Sequence, residues 1–158
     1  MKNNELYPTT APALPTPVRM RSFTSLTGRG STIALIDSGF VPHPDLTMPK
    51  NRIVQYYDAV SDFTDAMPNN DLETYAWHGT MTACTAGGNG FLSSMHYRSL
   101  APESKLVLIR TMSAGGRIST KSIVRALQWC IRNRDVYGIN IVNLSVYCDE
   151  IDHSLSHP

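Results

Sequence analysis

Four short apolar runs, each bounded by glycine or polar residues, recur along the chain at positions 31–37, 52–57, 105–110 and 139–145. Short runs without a helical period are typical of strands that are buried on both faces of a parallel sheet. The first run ends in Asp37, directly before a Ser-Gly pair. The pattern therefore predicts four strands, with a carboxylate at the end of the first.

Two segments between these runs predict helices. Residues 78–86 are small and free of proline, and a Gly-Gly pair follows them, as expected at a helix end. The second helix is predicted to begin after Ser119, a favourable N-cap residue, and to end at Gly138. Its predicted inner face consists of Ile123, Leu127, Cys130 and Ile131. This alternation predicts an α/β fold with a doubly wound parallel sheet, here incomplete.

The remaining segments predict irregular structure. Residues 1–28 contain four prolines spaced with threonine and alanine, so we expect an extended arm ahead of a domain over 29–158. Prolines at positions 42, 44 and 49 predict a loop between the first two strands. The segment 58–75 is polar and acidic and predicts a surface loop.

The composition fits one globular domain and argues against several function classes. The chain has 158 residues, 42% of them hydrophobic, and a net charge of +1. So small a charge argues against nucleic acid or an anionic membrane as the main partner, because both attract basic surfaces. No apolar run approaches the ~18 residues of a membrane span, and early prolines interrupt any secretory signal. Three cysteines without metal-ligand spacing indicate free thiols and favour a reducing, cytoplasmic location.

Charge is distributed unevenly along the chain. No Lys or Arg occurs between Arg52 and Arg98, where five acidic residues lie, whereas the segment from Arg98 to Asp135 is strongly basic. Two solvated surfaces explain this pattern, since exposed charge mostly serves solvation. The alternative interpretation is an acidic loop that attracts a cation or a basic peptide. Composition leaves both interpretations open.

Three candidate functional residues are expected to lie close together in the predicted fold. Asp37 and Ser145 end predicted strands, and His78 opens a predicted helix. In parallel α/β sheets the functional crevice lies beyond the carboxyl ends of the strands. Taken singly, Asp37 also fits a turn-capping role and His78 a side chain satisfied by backbone groups.

Five short motifs follow one another along the chain: Ile33-Ala-Leu-Ile-Asp-Ser-Gly39, His43-Pro-Asp-Leu46, His78-Gly-Thr80, Leu100-Ala-Pro102 and Ile141-Val-Asn-Leu-Ser145. In this order they resemble the subtilisin-like serine proteases, or subtilases. The resemblance implies a serine endopeptidase that uses an Asp/His/Ser triad, with Asp37 as the aspartate and His78 as the histidine. A serine hydroxyl is a poor nucleophile, so an imidazole held by a buried carboxylate must accept its proton.

The resemblance also implies a polypeptide substrate and a binding wall. Ser145 and Val146 match the strand end that pairs with an extended peptide in the family. The family has a glycine shortly after this serine, whereas Tyr147 follows here. Either the tyrosine reshapes the cleft or the loop is shifted in register, and both interpretations stay open.

Asp45 matches a carboxylate that binds structural calcium in many subtilases. Calcium takes about six to eight oxygen ligands, and residues 89–99, which are expected to supply the others, do not match the family pattern. No cofactor is required by the proposed chemistry, and calcium at Asp45 is an expectation from the resemblance alone. Met81 and Cys84 also differ from the family pattern, and we interpret both as packing variants.

The sequence contains no Gly-Thr-Ser motif, which carries the family's nucleophile. We therefore expect the N-terminal part of a subtilase domain, truncated before its nucleophile, inactive alone and partnered by the missing C-terminal half. A non-catalytic module that binds peptides or a partner is the alternative. A third interpretation is an unrelated α/β protein that uses Asp37 for phosphate or metal chemistry.

Overall fold

The computed structural model describes residues 14–23, 25–65 and 75–147 of the chain. The strands are β1 (Thr32–Asp37), β2 (Ile53–Asp58), β3 (Phe63–Asp65), β4 (Lys105–Arg110) and β5 (Ile139–Leu144). The helices are α1 (Thr16–Arg19), α2 (Pro44–Thr47), α3 (Ala76–Gly87) and α4 (Thr120–Tyr137), with a 3₁₀ turn at Phe91–Ser93. No helix in the described ranges combines the length and apolarity needed to cross a bilayer.

The strands form one sheet in the order β3-β2-β4-β1-β5. Strands β2, β4, β1 and β5 run parallel, and β3 pairs with β2 in the antiparallel sense. The predicted α/β fold with a doubly wound parallel sheet is confirmed, because helices cover both faces. Parallel strands bring their carboxyl ends to one edge, which we call the carboxyl edge.

Alternate side chains of the central strands pack into two separate hydrophobic cores, one on each face of the sheet. On one face Leu35 and Leu108 pack with Ala83 of α3 and Leu46 of α2. On the other face Ala34, Val107 and their neighbours pack against α4. The alternation follows from strand geometry, in which successive side chains point to opposite faces. Strand β1 is buried along its whole length, so its last residue, Asp37, is rigidly placed.

Three short elements lie where the sequence predicted none. Strand β3 lies in the predicted surface loop, held by pairing with β2 although its three residues are exposed. Helix α1 lies in the predicted extended arm, where Pro17 occupies the first helical turn and costs no backbone hydrogen bond. Helix α2 lies in the predicted loop for the same reason, with Pro44 at its first position.

Helix α4 has the predicted ends but a rotated inner face. The Ser119 side chain accepts a hydrogen bond from Ser122 N at 3.1 Å, and Gly138 ends the helix with a φ of 62°. The prediction of Leu127 and Ile131 on the inner face was wrong, since Ile131 is 76% exposed. The buried side chains of α4 are instead Ser122, Ala126, Trp129 and Cys130.

An aromatic stack accounts for this rotation. The Trp129 ring stacks on Tyr57 of β2, with ring centroids 5.0 Å apart, and also on Tyr137, with centroids 5.5 Å apart. Stacked aromatic pairs stabilise beyond the area that they bury. The small side chain of Ala126 lets the helix approach the sheet, so Trp129 rather than Leu127 faces inward.

Strand β5 forms an edge of the sheet within the described part of the chain. Only its first residue, Ile139, is buried, and Ile141, Val142 and Leu144 are 44–51% exposed. Exposed apolar side chains of α4 continue this surface. An unpaired strand edge with apolar neighbours is a surface to which another polypeptide can add.

Candidate active site

Asp37 ends β1 at the carboxyl edge and is fully buried. Its Oδ1 accepts hydrogen bonds from Ser38 N at 2.6 Å and from Ser38 Oγ at 3.0 Å. Its Oδ2 accepts from Thr82 Oγ1 of α3 at 2.9 Å. A buried carboxylate is costly without such donors. These contacts fix the orientation of the carboxylate from two different elements.

His78 lies in the first turn of α3, with its Nδ1 2.7 Å from Asp37 Oδ1. An ionised carboxylate only accepts hydrogen bonds, so Nδ1 carries the proton and Nε2 is the basic nitrogen of the neutral ring. The imidazole is 40% exposed, whereas the Asp37 side chain is 1% exposed. The structure thus brings the two predicted residues together as a buried orienting group and an accessible base.

Packing explains why glycine and threonine follow the histidine. A Cβ atom on Gly79 would lie 2.1 Å from the carbonyl oxygen of Gly39, so only glycine lets α3 approach the loop after β1. Thr80 Oγ1 accepts from Val41 N at 2.9 Å and donates to Ala76 O at 2.7 Å. The His-Gly-Thr motif therefore fastens α3 to the end of β1.

Helix α3 begins at Ala76 rather than at His78, which corrects the predicted start. The Ser38 hydroxyl is 2.7 Å from the Tyr75 carbonyl, directly before the helix. This tertiary contact helps to place the first turn, which has no side-chain cap of its own. His78 consequently lies in the helical first turn, where its backbone is fixed.

The pair opens into a cleft of about 390 Å³ at the carboxyl edge. The predicted binding residues Ser145 and Val146 both line it. Ser145 N donates to Ile36 O at 3.1 Å, which extends the pairing of β5 with β1 by one residue. Tyr147 also lines the cleft and is 79% exposed.

Four further lining residues were missed by sequence reasoning: Tyr75, Trp77, Met112 and Ile118. Trp77 directly precedes His78, and its ring meets the imidazole edge-on with centroids 5.5 Å apart. Met112 follows β4 and pairs with Ile118 in an isolated antiparallel bridge. Met112 lies directly after the carboxyl end of a predicted strand, and that position could have identified it as a cleft residue from the sequence.

Asp45 is not among the described residues that line this cleft. Its Oδ1 accepts from Leu92 N at 2.9 Å, and its carbonyl accepts from Asn89 N and from the Arg52 guanidinium. Two of the Asp45 oxygens thus accept hydrogen bonds from protein donors, and calcium at Asp45 stays a prediction. Within the described ranges, no three or more His, Cys, Asp or Glu side chains are grouped so that they could hold a metal ion.

Cys84 is a structural thiol on the buried side of α3. Its Sγ lies 3.5 Å from His43 Nδ1, and burial raises the pKa of the thiol to about 12. A raised pKa lowers the fraction of thiolate, the nucleophilic form. This agrees with the predicted packing role. Cys130 is also a free thiol, and the third cysteine, Cys148, lies outside the described residues.

The fold places the Asp37–His78 pair in an open cleft at the carboxyl edge of the sheet. A model of the subtilase family matches residues 28–154, so the chain belongs to the subtilase family. The chain is 33% identical over 144 residues to serine protease AprX of Bacillus subtilis, which covers 88% of this chain and 30% of AprX. It is 32% identical over 123 residues to the minor extracellular protease Epr of the same organism, and the match covers 77% of this chain and 16% of Epr.

Solved structures agree with this fold. The CspB protease of Clostridium perfringens superposes with a TM-score of 0.71 at 18% identity, over 90% of this chain and 34% of that one. A cold-adapted subtilisin-like serine proteinase gives a TM-score of 0.53 at 26% identity, over 70% of this chain and 35% of that one. The chain thus spans about a third of the length of these solved relatives.

Proposed function

We propose that this chain contributes the Asp–His part of a subtilisin-type serine endopeptidase, together with one wall of its substrate cleft. The observation that carries the proposal is the 2.7 Å contact between Asp37 Oδ1 and His78 Nδ1 beside an open cleft. Because Nδ1 is held by the carboxylate, Nε2 is the ring nitrogen available to accept a proton. No residue in the described ranges is hydrogen-bonded to Nε2.

The chemistry follows from this arrangement. A serine hydroxyl gives its proton to His78 Nε2 as its oxygen bonds to the substrate carbonyl carbon. Asp37 stabilises the imidazolium that forms, and the imidazolium then gives the proton to the departing amine. Since the sequence lacks a Gly-Thr-Ser motif, the proposal places this serine on a further polypeptide segment that packs against β5. That segment corresponds to the C-terminal partner expected from the sequence.

The proposed substrate is an extended polypeptide that adds beside the end of β5. Ser145 and Val146 supply backbone groups at the cleft, and main-chain hydrogen bonds give such binding its affinity. Trp77 and Tyr147 add exposed aromatic surface to the lining of the cleft. These rings support apolar side chains in the substrate.

The proposal is tested by fusing the chain to the part of AprX that follows the region of similarity. We expect the folded fusion to hydrolyse casein and the unfused chain to have no activity. His78→Ala is expected to lower kcat about 10⁶-fold and Asp37→Ala about 10⁴-fold, the sizes found for the same two substitutions in subtilisin. Inhibition by a serine-directed reagent identifies the nucleophile.

Lys121→Gln in the same fusion is the control, because Lys121 is an exposed residue of α4 outside the cleft. A folded fusion whose hydrolysis survives His78→Ala would contradict the proposal. A folded fusion that binds an extended peptide in the cleft without cleaving it would instead support the non-catalytic peptide-binding module. Calorimetric titration with an uncleaved peptide distinguishes these two results.

A further inference from the structure

A second concave surface lies at the edge of the sheet opposite the cleft. It is formed where β2 and β4 begin and where Gly30 leads into β1, and its volume is about 960 Å³. We call it the basal groove; its charged lining residues are Arg29, Lys50, Arg52, Arg98, Glu103 and Lys105. None of its lining residues lines the cleft. A six-residue strand spans ~20 Å, so the two sites are well separated.

The charge of the basal groove is strongly positive. Among the described residues that line it, five of the six charged ones are cationic, and the sixth, Glu103, is paired with Arg29 at 2.8 Å. Among the described residues, Lys50, Arg98 and Lys105 have no carboxylate partner within ion-pair distance. The groove thus concentrates positive charge in a chain whose net charge is only +1. Concave surfaces of one charge attract ligands of the opposite charge.

Arg52 adds a fixed positive charge to the wall of this groove. Its guanidinium donates to the carbonyl oxygens of Gly87, Ser104 and Asp45, which hold it in place. Its Nε is buried without a hydrogen-bond partner in the described part of the chain. Arg52 therefore contributes positive potential to the wall of the groove, while its donors hold backbone carbonyls.

The basal groove also carries apolar surface. Phe91 and Met95 line it with 41% and 59% of their areas exposed, and Pro49, Val54 and Pro102 contribute further apolar contacts. Its volume lies at the upper end of the ~300–1,000 Å³ typical of ligand pockets. A small inorganic anion would leave most of this apolar surface exposed to water. The lining therefore favours a larger ligand with both carboxylates and apolar side chains.

We propose that the basal groove binds an extended acidic peptide segment of a partner protein. Its carboxylates contact Lys50 and Lys105, and its apolar side chains pack on Phe91 and Met95. A peptide is favoured over an anionic membrane because the cations and apolar groups line a concavity rather than a projecting surface. The groove is independent of the proposed peptidase chemistry, since it shares no residue with the cleft.

The probe is a fluorescently labelled ten-residue peptide of alternating Glu and Leu, titrated with the full chain and followed by fluorescence anisotropy. The double variant Lys50→Gln with Lys105→Gln is expected to bind about fivefold more weakly, as the loss of two exposed ion pairs predicts. Both lysines are exposed, so the fold should persist, and far-UV circular dichroism checks this. Raising the salt concentration should weaken binding to the unmodified chain more than to the variant.

Lys121→Gln with Arg132→Gln is the matched control, because it removes the same charge from exposed positions of α4. Its binding should equal that of the unmodified chain, and Gln-for-Glu replacement in the probe should abolish binding. Equal weakening in both double variants would overturn the proposal, since net charge alone would then explain binding. Equally tight binding of polyphosphate, or binding to phosphatidylserine vesicles without binding to the peptide, would overturn it too.

Discussion

Strands β1 and β5 are neighbours in the same parallel sheet, with similar apolar sequences and opposite environments. They pair in register from Ile33 with Ile141 to Ile36 with Leu144. Every residue of β1 is buried, whereas every residue of β5 after Ile139 is exposed. Strand β1 has β4 on its other side, and β5 has no further neighbour in the described ranges. An apolar sequence pattern therefore shows that a strand can be buried. The neighbouring elements decide whether that strand is buried in the folded chain.

The candidate site shows the same difference in burial between the end of β1 and the end of β5. Asp37, at the end of β1, is held by Ser38, Thr82 and His78 and is fully buried. Ser145, at the end of β5, is only partly buried and is tied to β1 by one backbone hydrogen bond. The orienting carboxylate thus lies on rigid structure, and the proposed binding wall lies on the edge where a second segment must pack.

The largest expected effect comes from truncating a central side chain. Leu35→Ala should lower the free energy of unfolding by about 3 kcal/mol, because Leu35 is fully buried and leaves a cavity. Leu144→Ala, the matched change on β5, should cost less than about 1 kcal/mol, since Leu144 is 48% exposed. Urea denaturation measures both values, and equal losses would show that the two strands are buried alike.

A second change tests how tightly α3 is held against the end of β1. Gly79→Ala should cost about 1–3 kcal/mol, because its Cβ would lie 2.1 Å from the Gly39 carbonyl oxygen. It should also separate His78 from Asp37 and remove the downfield imidazole proton signal in NMR spectra. Gly115→Ala is the control, since its nearest new contact would be at 3.9 Å. A tolerated Gly79→Ala would contradict the role given to the His-Gly-Thr motif.

A smaller effect is expected at the start of α4, the helix that leads into β5. Ser119→Ala should lower the free energy of unfolding by about 1 kcal/mol, since it removes the side chain that accepts from Ser122 N. Ser119→Asn should stay close to the unmodified chain, because asparagine caps equally well. Thermal unfolding followed by circular dichroism tests both, and an Asn variant as unstable as the Ala variant would exclude capping as the cause.

The smallest effect on stability is expected on β5 itself. Val142→Lys should change the free energy of unfolding by less than about 0.5 kcal/mol, because Val142 is 44% exposed. It should nevertheless reduce self-association, since a lysine on a strand edge opposes pairing with another strand. Sedimentation velocity over a range of concentrations measures this. Unchanged self-association would show that the chains do not associate through the β5 edge.

Much of the fold was predictable because local signals agreed with tertiary structure. Strands β1 and β4 lie within one residue of their predicted limits, since continuous apolar runs suit double burial. Helix α4 begins after Ser119 and ends before Gly138, as cap and terminator residues indicated. The pairing of Asp37 with His78 was also predictable, because the family motifs specify both residues.

Other features had no local signal. Strand β3 is short and exposed, so only its pairing with β2 makes it a strand. The inner face of α4 depends on Trp129 stacking with Tyr57, a contact between residues distant in sequence. The basal groove brings Lys50 close to Arg98 and Lys105, which lie about fifty residues further along the chain, and no local pattern records that proximity.

The sequence by itself determined the sheet-forming runs, the ends of α4 and the two residues of the Asp–His pair. Those features follow from periodicity, capping chemistry and short motifs, all of which act over a few neighbouring residues. Only the tertiary structure decided that β1 is buried and β5 exposed, that Trp77 and Met112 line one cleft, and that cations gather at the opposite edge. Burial and proximity depend on which distant segments pack together, and no local pattern of residues records that.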